Sequence, residues 1–340
     1  MTKQELESIA RGIVVPGKGV LAADESFPTI KKRLTSIDVE STEENRRAYR
    51  ELLFTTPSFD EFISGVITFD ETMRHKTADG IPFPELLSSK GVYPGVKVDQ
   101  GTRDLAGFLG EKFTQGLDGL RERLAEYVEL GAKFTKWRAV YTISKNTPTD
   151  YCIKLNASGL AQYAALSQEA GLVPIVEPEV LMDGDHSIQR CEDVTTAVLE
   201  SVFTTLFEAR VNLEGMLLKP NMVLSGVDSP DRADVQEVAE ATIRTLKRVV
   251  PAAVPGIVFL SGGQTPAQAT EHLSAMNAIG GFPWQLSFSF GRALQAEALS
   301  IWQGKQANVP EAQKVFARRA KLTGMACFGE YSPQMESLAA

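Results

Sequence analysis

Histidine and cysteine are scarce in this chain of 340 residues, which has three of each. The cysteines, Cys152, Cys191 and Cys327, are odd in number, widely spaced and form no CxxC. That argues against a disulfide framework or a zinc ribbon and fits free thiols in a reducing compartment. The histidines form no HxH or HExxH. His75 in TMRHK and His272 in ATEHL read as surface or packing residues. DGDH (183–186) is the one stretch with ligand-like composition, and a polar loop capping the next helix accounts for it better than a metal site. No GxGxxG and no GxxxxGKS or GxxxxGKT occurs, which weakens the nucleotide-binding readings. No window approaches 18 uncharged apolar residues, so no membrane span is expected. The N-terminus, MTKQELESIARGIVVPGKG, lacks the apolar core of a signal peptide and is too acidic for a transit peptide. A basic balance is also missing: the net charge is −8, which speaks against a general nucleic-acid surface. The expectation is a cytoplasmic protein without metal, nucleic-acid or membrane partners.

Apolar residues make up 43% of the chain and charged ones 23%, enough for a large core in a soluble globular protein. Along the chain a strand-like run is repeatedly followed by a helical pattern. The strand candidates are GVLAAD (19–24), FISGVITFD (62–70), GVYPGVKVD (91–99), KFTKWRAVY (133–141), LVPIVEPEV (172–180), LEGMLLKPN (213–221), GIVFLSGG (256–263) and WQLSFSFGR (284–292). Between them lie helix signals. Ser41-Thr42-Glu43-Glu44 opens a capping box before RRAYRELLF. QGLDGLRERLAEYVELGA has apolar residues at helical spacing and a glycine stop. NASGLAQYAALSQEAG, VTTAVLESVFTTLFEARV and ALQAEALSIWQG follow the same pattern. Thr265-Pro266 reads as an N-cap followed by proline at the first helical position. Eight alternating units imply a parallel sheet with helical crossovers, closed as a single-domain (β/α)8 barrel over residues 1–340 with a short tail from about 331.

Active sites of such barrels lie at the C-terminal ends of the strands. The polar residues there are Asp24; Lys97 and Asp99; Lys136 and Arg138; Glu177 and Glu179; Lys219; Ser261-Gly262-Gly263; and Gly291-Arg292. Lys136/Arg138 and Glu177/Glu179 are i, i+2 pairs, so each pair faces one side of its strand. If that side is the lumen, the groups converge.

Lys219 is the most informative. It ends the apolar run Met216-Leu217-Leu218 and directly precedes Pro220. It is either a strand-end lysine that reaches back to water or an amine nucleophile. A free lysine, with a pKa near ~10.4, is protonated at neutral pH. Neighbouring ammonium groups and burial lower that value, and a lysine near ~7–8 attacks a carbonyl to form an imine, an electron sink. LSGGQTP supplies a hydroxyl, glycine amides and a helix N-terminus suited to an anion, and Arg292 adds a forked cation. A plain glycine turn is the alternative.

VNLEGMLLKPN closely resembles the Schiff-base lysine segment of class I fructose-1,6-bisphosphate aldolases. GKGVLAADES, STEENRRAYRELLF, GVKVDQG, TQGLDGL, KFTKWRAV, VPIVEPEVLMDGDH, FLSGGQ and FGRALQA also resemble segments of that family, in its order, over roughly residues 5 to 333. The resemblance implies reversible cleavage of fructose 1,6-bisphosphate to dihydroxyacetone phosphate and glyceraldehyde 3-phosphate, a step of glycolysis and gluconeogenesis. It implies no cofactor beyond a covalent substrate imine on Lys219, a sugar-bisphosphate partner and a homotetramer. It also implies residue roles. Glu177 shuttles protons during imine formation and Asp24 takes the carbon-4 hydroxyl proton. Lys136 supports both, and Glu179 belongs to the same network. Ser261, Gly262, Gly291 and Arg292 surround the phosphate on carbon 1. Ser26, Arg33, Lys97 and Arg138 surround the other phosphate or the sugar hydroxyls.

The chain departs from that family at three places. FPT follows Ser26 where many relatives have TGS, so Thr29 replaces a serine and a stiffer first loop is expected. Phe290 stands where tyrosine is common. The chain ends MESLAA, without the terminal tyrosine of many relatives; Tyr331 is its last. Proton exchange on the enamine is therefore expected to be slower or to use another group. Rival readings are a sedoheptulose-bisphosphate aldolase, a divalent-metal lyase built on DGDH, and a barrel kept as a binding scaffold. Intact Asp24, Glu177 and Lys219 weigh against the last.

Overall fold

Strands flanked by helices on one side and packed side chains on the other are buried on both faces, so they read as apolar runs rather than alternations. All eight runs above form strands in the computed structural model, which describes residues 2–338. They are β1 (Gly19–Ala23), β2 (Ile63–Thr68), β3 (Tyr93–Lys97), β4 (Phe134–Tyr141), β5 (Val173–Val180), β6 (Leu217–Leu218), β7 (Gly256–Phe259) and β8 (Gln285–Phe290). They are parallel and close in the order β1-β8-β7-β6-β5-β4-β3-β2. The strand after Gly215 is much shorter than its sequence run. Leu213–Gly215 is a 3-10 turn, and beyond Lys219 the proline has no N–H for the ladder. Pairing continues informally: Lys219 N–H donates to Val176 O (2.8 Å) and Leu260 N–H to Pro220 O (3.1 Å).

Parity within the strands sorts the lumen into two storeys. Val20, Ala22, Ile67, Phe134, Val173, Ile175, Leu217 and Val258 form an apolar lower storey. Helix α1 (Lys3–Ile13) closes its base with Leu6, Ala10 and Ile13, each large side chain contributing about 1.5–3 kcal/mol of burial. Room for Phe134 comes from Gly95, where a Cβ would lie 2.3 Å from the ring. Two residues further along the same strands, the lumen positions become Lys136, Glu177 and Lys219, so the storey above is charged.

Helices α2 (Phe27–Thr35) and α3 (Glu43–Phe54) follow β1; α4 (Asp70–Arg74) and α5 (Phe83–Ser89) follow β2. Next come α6 (Leu120–Glu129), α7 (Asp150–Glu169), α8 (Ile188–Glu208), α9 (Val235–Val249), α10 (Pro266–Ile279), α11 (Arg292–Trp302) and α12 (Val309–Ala326). The cap of α3 differs from the expected box. Thr42 is the N-cap and accepts from Asn45 N–H, so the reciprocal glutamate is absent. Thr265 does cap α10, with Pro266 in the first turn and Gln268 completing a box.

A small antiparallel hairpin, Thr102–Asp104 with Lys112–Thr114, follows β3 and was not apparent in the sequence. The expected C-terminal tail folds back through residue 338. Arg319 holds Glu336 (2.5 Å), and the Tyr331 hydroxyl donates to the same carboxylate (2.7 Å). Residues 339 and 340 lie outside the described ones. Among the described residues no helix is long and apolar enough to cross a membrane.

Candidate active site

The upper storey is a chain of alternating charges from β6 to β1. Lys219 Nζ lies 3.1 Å from Glu177 Oε1. Lys136 Nζ lies 3.1 Å from Glu177 Oε2 and 2.6 Å from Asp24 Oδ2. Lys136, Glu177 and Lys219 are each only 3% exposed, so little water screens these pairs. Register produces the line. Lys136 stands opposite Lys97 on β3, and Arg138 opposite Glu177 on β5.

The protonation states follow from that order. Burial disfavours the Asp24 carboxylate, but the ammonium charges of Lys136, Lys219 and Lys97 outweigh it and hold the carboxyl below its ordinary range. Glu177 is likewise opposed by burial and lowered by Lys136, Lys219 and Arg138. Burial disfavours the Lys136 cation, yet Asp24, Glu177 and Asp99 raise its pKa well above that of a free lysine. Lys136 is therefore a locked cation, the reverse of the lowered lysine pKa that crowded ammonium groups suggest. Lys219 has one carboxylate partner instead of two.

Arg138 and Glu179 pair with each other, two residues further along their strands than Lys136 and Glu177. Lys97 is held by Asp99, 2.6 Å to Oδ1, while Asp99 also accepts from the amides of Gly101 (3.1 Å) and Arg138 (3.2 Å). Asp99 thus holds the Lys97 ammonium and the β4 backbone at Arg138, a role that strand-end location alone does not disclose. Glu25 does the same beyond β1, pairing with Arg33 and with Arg50 (2.5 Å). The ADES segment contains Glu25, but nothing in its spacing names its partners.

At β7 and β8, Ser261 is buried and Gly262 has φ +55°, where a side chain is strained. Arg292 Nη2 donates to Gly262 O across the gap (2.9 Å). Gly291 lies under Ala22 O, 3.1 Å from where its Cβ would stand, and that same point is 3.7 Å from Arg33 Nη2. Arg33 therefore reaches the end of β8 while pairing with Glu25, the residue directly before Ser26. Ser26 N-caps α2 without a side-chain cap bond, its hydroxyl 3.3 Å from that of Thr29. Met182 is unforeseen: its sulfur accepts the Gly263 N–H (2.9 Å).

The histidines stand apart from this cluster. His75 and His272 are both buried, so packing and not surface describes them; His272 Nδ1 donates to Gln264 Oε1 at 2.5 Å. The DGDH loop is tied by backbone bonds, Gly226 N–H to His186 O (2.8 Å) and Asp228 N–H to Gly184 O (2.9 Å). Ser187, just after it, caps α8.

A closed parallel barrel with a buried amine–carboxylate chain and basic groups around its mouth defines a class: (β/α)8 enzymes acting on anionic carbonyl compounds. The family model described as "Fructose-bisphosphate aldolase class-I" matches residues 5–340. A "Probable fructose-bisphosphate aldolase class 1" of Xanthomonas campestris is 54% identical, over 97% of this chain and 99% of its own. "Fructose-bisphosphate aldolase 6, cytosolic" of Arabidopsis thaliana is 56% identical, over 96% and 91%. A solved structure of fructose-bisphosphate aldolase from Plasmodium falciparum, in complex with TRAP and a small-molecule inhibitor, superposes with a TM-score of 0.95 at 50% identity, covering 97% of this chain and 95% of that one. The chain belongs to the class I fructose-bisphosphate aldolase family.

Proposed function

We propose that the protein cleaves fructose 1,6-bisphosphate reversibly to dihydroxyacetone phosphate and glyceraldehyde 3-phosphate, through an imine on Lys219. The observation that carries the residue assignment is the buried line Lys219–Glu177–Lys136–Asp24. Attack on the ketone at carbon 2 needs a free amine lone pair. Glu177, 3.1 Å away, is the carboxylate in reach of the departing ammonium proton. It returns that proton to the carbinolamine hydroxyl, water leaves, and a protonated imine remains. Asp24 then removes the carbon-4 hydroxyl proton. The carbon-3 to carbon-4 bond breaks, its electron pair moves into the enamine, and the aldehyde departs. Protonation of the enamine at carbon 3 and hydrolysis of the imine release the second product.

Lys136, a cation between the two carboxyls, keeps each ionised until it accepts its proton, as a general base must be. The imine withdraws electrons, so the cycle is written without a cofactor. Ser261, Gly262, Gly291 and Arg292 form the cradle assigned to the carbon-1 phosphate, and Arg33 is assigned to the other phosphate or the sugar hydroxyls. Ser26 and Lys97 take the distant phosphate, with Arg138 and Glu179 on the rim. Tyr331, bonded to Glu336, is not assigned to proton exchange. The same reading carries a cytoplasmic location, in line with the cytosolic name of the Arabidopsis relative, and a homotetrameric assembly.

Borohydride trapping tests the assignment. The protein is incubated with dihydroxyacetone phosphate and excess chelator, reduced, digested and mapped by mass spectrometry. The expected result is an adduct on Lys219, lost in Lys219→Ala. Absence of any adduct on folded protein overturns the imine mechanism.

A further inference from the structure

Phe27 is a large aromatic residue that is 49% exposed on the rim of the barrel mouth. It follows Ser26 directly, in the segment where the sequence reads FPT. Its ring is gripped from two sides. Phe69, which N-caps α4, packs edge-on with centroids 5.2 Å apart and planes at 82°. The Arg46 guanidinium of α3 lies over the ring, 5.0 Å from its centroid. Arg46 is itself fixed, with Nε and Nη2 donating to Glu71 of α4 (2.7 and 2.5 Å) and Nη1 to Ser41 O (2.5 Å). Edge-on aromatic and cation–π geometries are both attractive in themselves.

The grip matters because α2 lacks the usual fastening. Its N-cap serine makes no side-chain cap bond; the Ser26 hydroxyl bonds instead to that of Thr29 (3.3 Å). Phe69 follows β2, so the contact pulls the start of α2 towards the β2–β3 side of the mouth, where Lys97 ends β3. That is the side away from the Ser261 and Arg292 cradle.

We infer that Phe27 is a positioning residue: clamped between Phe69 and Arg46, it holds Ser26 and Thr29 in place for the phosphate farthest from the imine. The inference rests on the function proposed above. It predicts a selective effect. A substrate with the distant phosphate depends on the clamp, and one with only the carbon-1 phosphate does not.

The test compares fructose 1,6-bisphosphate with fructose 1-phosphate in the wild type, Phe27→Ala and Phe27→Tyr. Phe27→Ala is expected to raise KM for the bisphosphate about tenfold, the size of losing one edge-on pair and one cation–π contact. Its kcat for that substrate and its kcat/KM for fructose 1-phosphate are expected to stay within about twofold. Phe27→Tyr keeps the ring and is expected to restore the bisphosphate KM. Equal loss on both substrates, or an unchanged ratio, overturns the inference in favour of a purely structural or idle Phe27. If the wild type cleaves neither sugar and traps no imine, the proposed function has failed instead.

Discussion

Replacing Lys136 with methionine keeps most of the side-chain volume and removes one buried charge. Its ammonium stands 2.6 Å from Asp24 and 3.1 Å from Glu177, and its side chain is 4% exposed. Removing one partner of such a buried pair costs about 3–5 kcal/mol, because the other charges are left uncompensated. Unfolding entropy near 2.1 cal/mol/K per residue makes 1 kcal/mol worth roughly 1.4 °C for 340 residues. The expected fall in Tm at pH 7 is therefore about 4–7 °C. The loss must also depend on pH. Asp24 and Glu177 have depressed pKa values, so they stabilise fully above their unfolded values near ~3.9 and ~4.3. That stabilisation fades as pH falls below those values towards the folded ones. Lys136, whose pKa is raised, contributes fully below its unfolded value near ~10.4 and loses its share as pH rises through the folded one. In Lys136→Met the folded carboxyl pKa values rise towards or past the unfolded ones, so the variant has less stabilisation to lose on acidification than the wild type. The gap between wild type and variant should narrow from pH 7 to pH 3.5, followed by calorimetry or circular dichroism. An equal Tm loss at both pH values would refute the charge argument and leave only packing.

Two further outcomes test the cradle and the lumen. Arg292→Ala removes a guanidinium able to make charge-assisted bonds, each worth about 1.5–3 kcal/mol. Steady-state kinetics should show KM for the bisphosphate rising roughly 10- to 100-fold, with a smaller change in kcat; an unchanged KM removes Arg292 from the phosphate site. Gly95→Ala places a Cβ 2.3 Å from the Phe134 ring. Overpacking of this kind costs about 1–3 kcal/mol, visible as a lower Tm, and a variant as stable as the wild type would mean that the lower storey is loose.

The strands were legible because burial on both faces leaves apolar runs that no solvent-facing pattern interrupts. The paired charges on β4 and β5 were legible as converging because strand parity is set by spacing of two. Other features depend on distance in space. Helix α2 opens on Ser26 with Pro28 in its first turn, but the clamp on Phe27 comes from residues 19 and 42 positions further on. Asp99 and Glu25 act by holding other charged groups, so their roles cannot be stated until those partners are located. The choice between lysines is the sharpest case. Lys97 ends β3, Lys136 lies within β4 and Lys219 directly follows β6, and composition treats them alike. Once the barrel closes, Lys136 faces two carboxylates and Lys219 faces one. An amine between two anions is held as a cation, whereas Lys219, at the end of the line, has a single carboxylate within reach. Closure of the barrel, more than the local sequence around either lysine, therefore distinguishes the lysine proposed as nucleophile from the one proposed as its counter-ion.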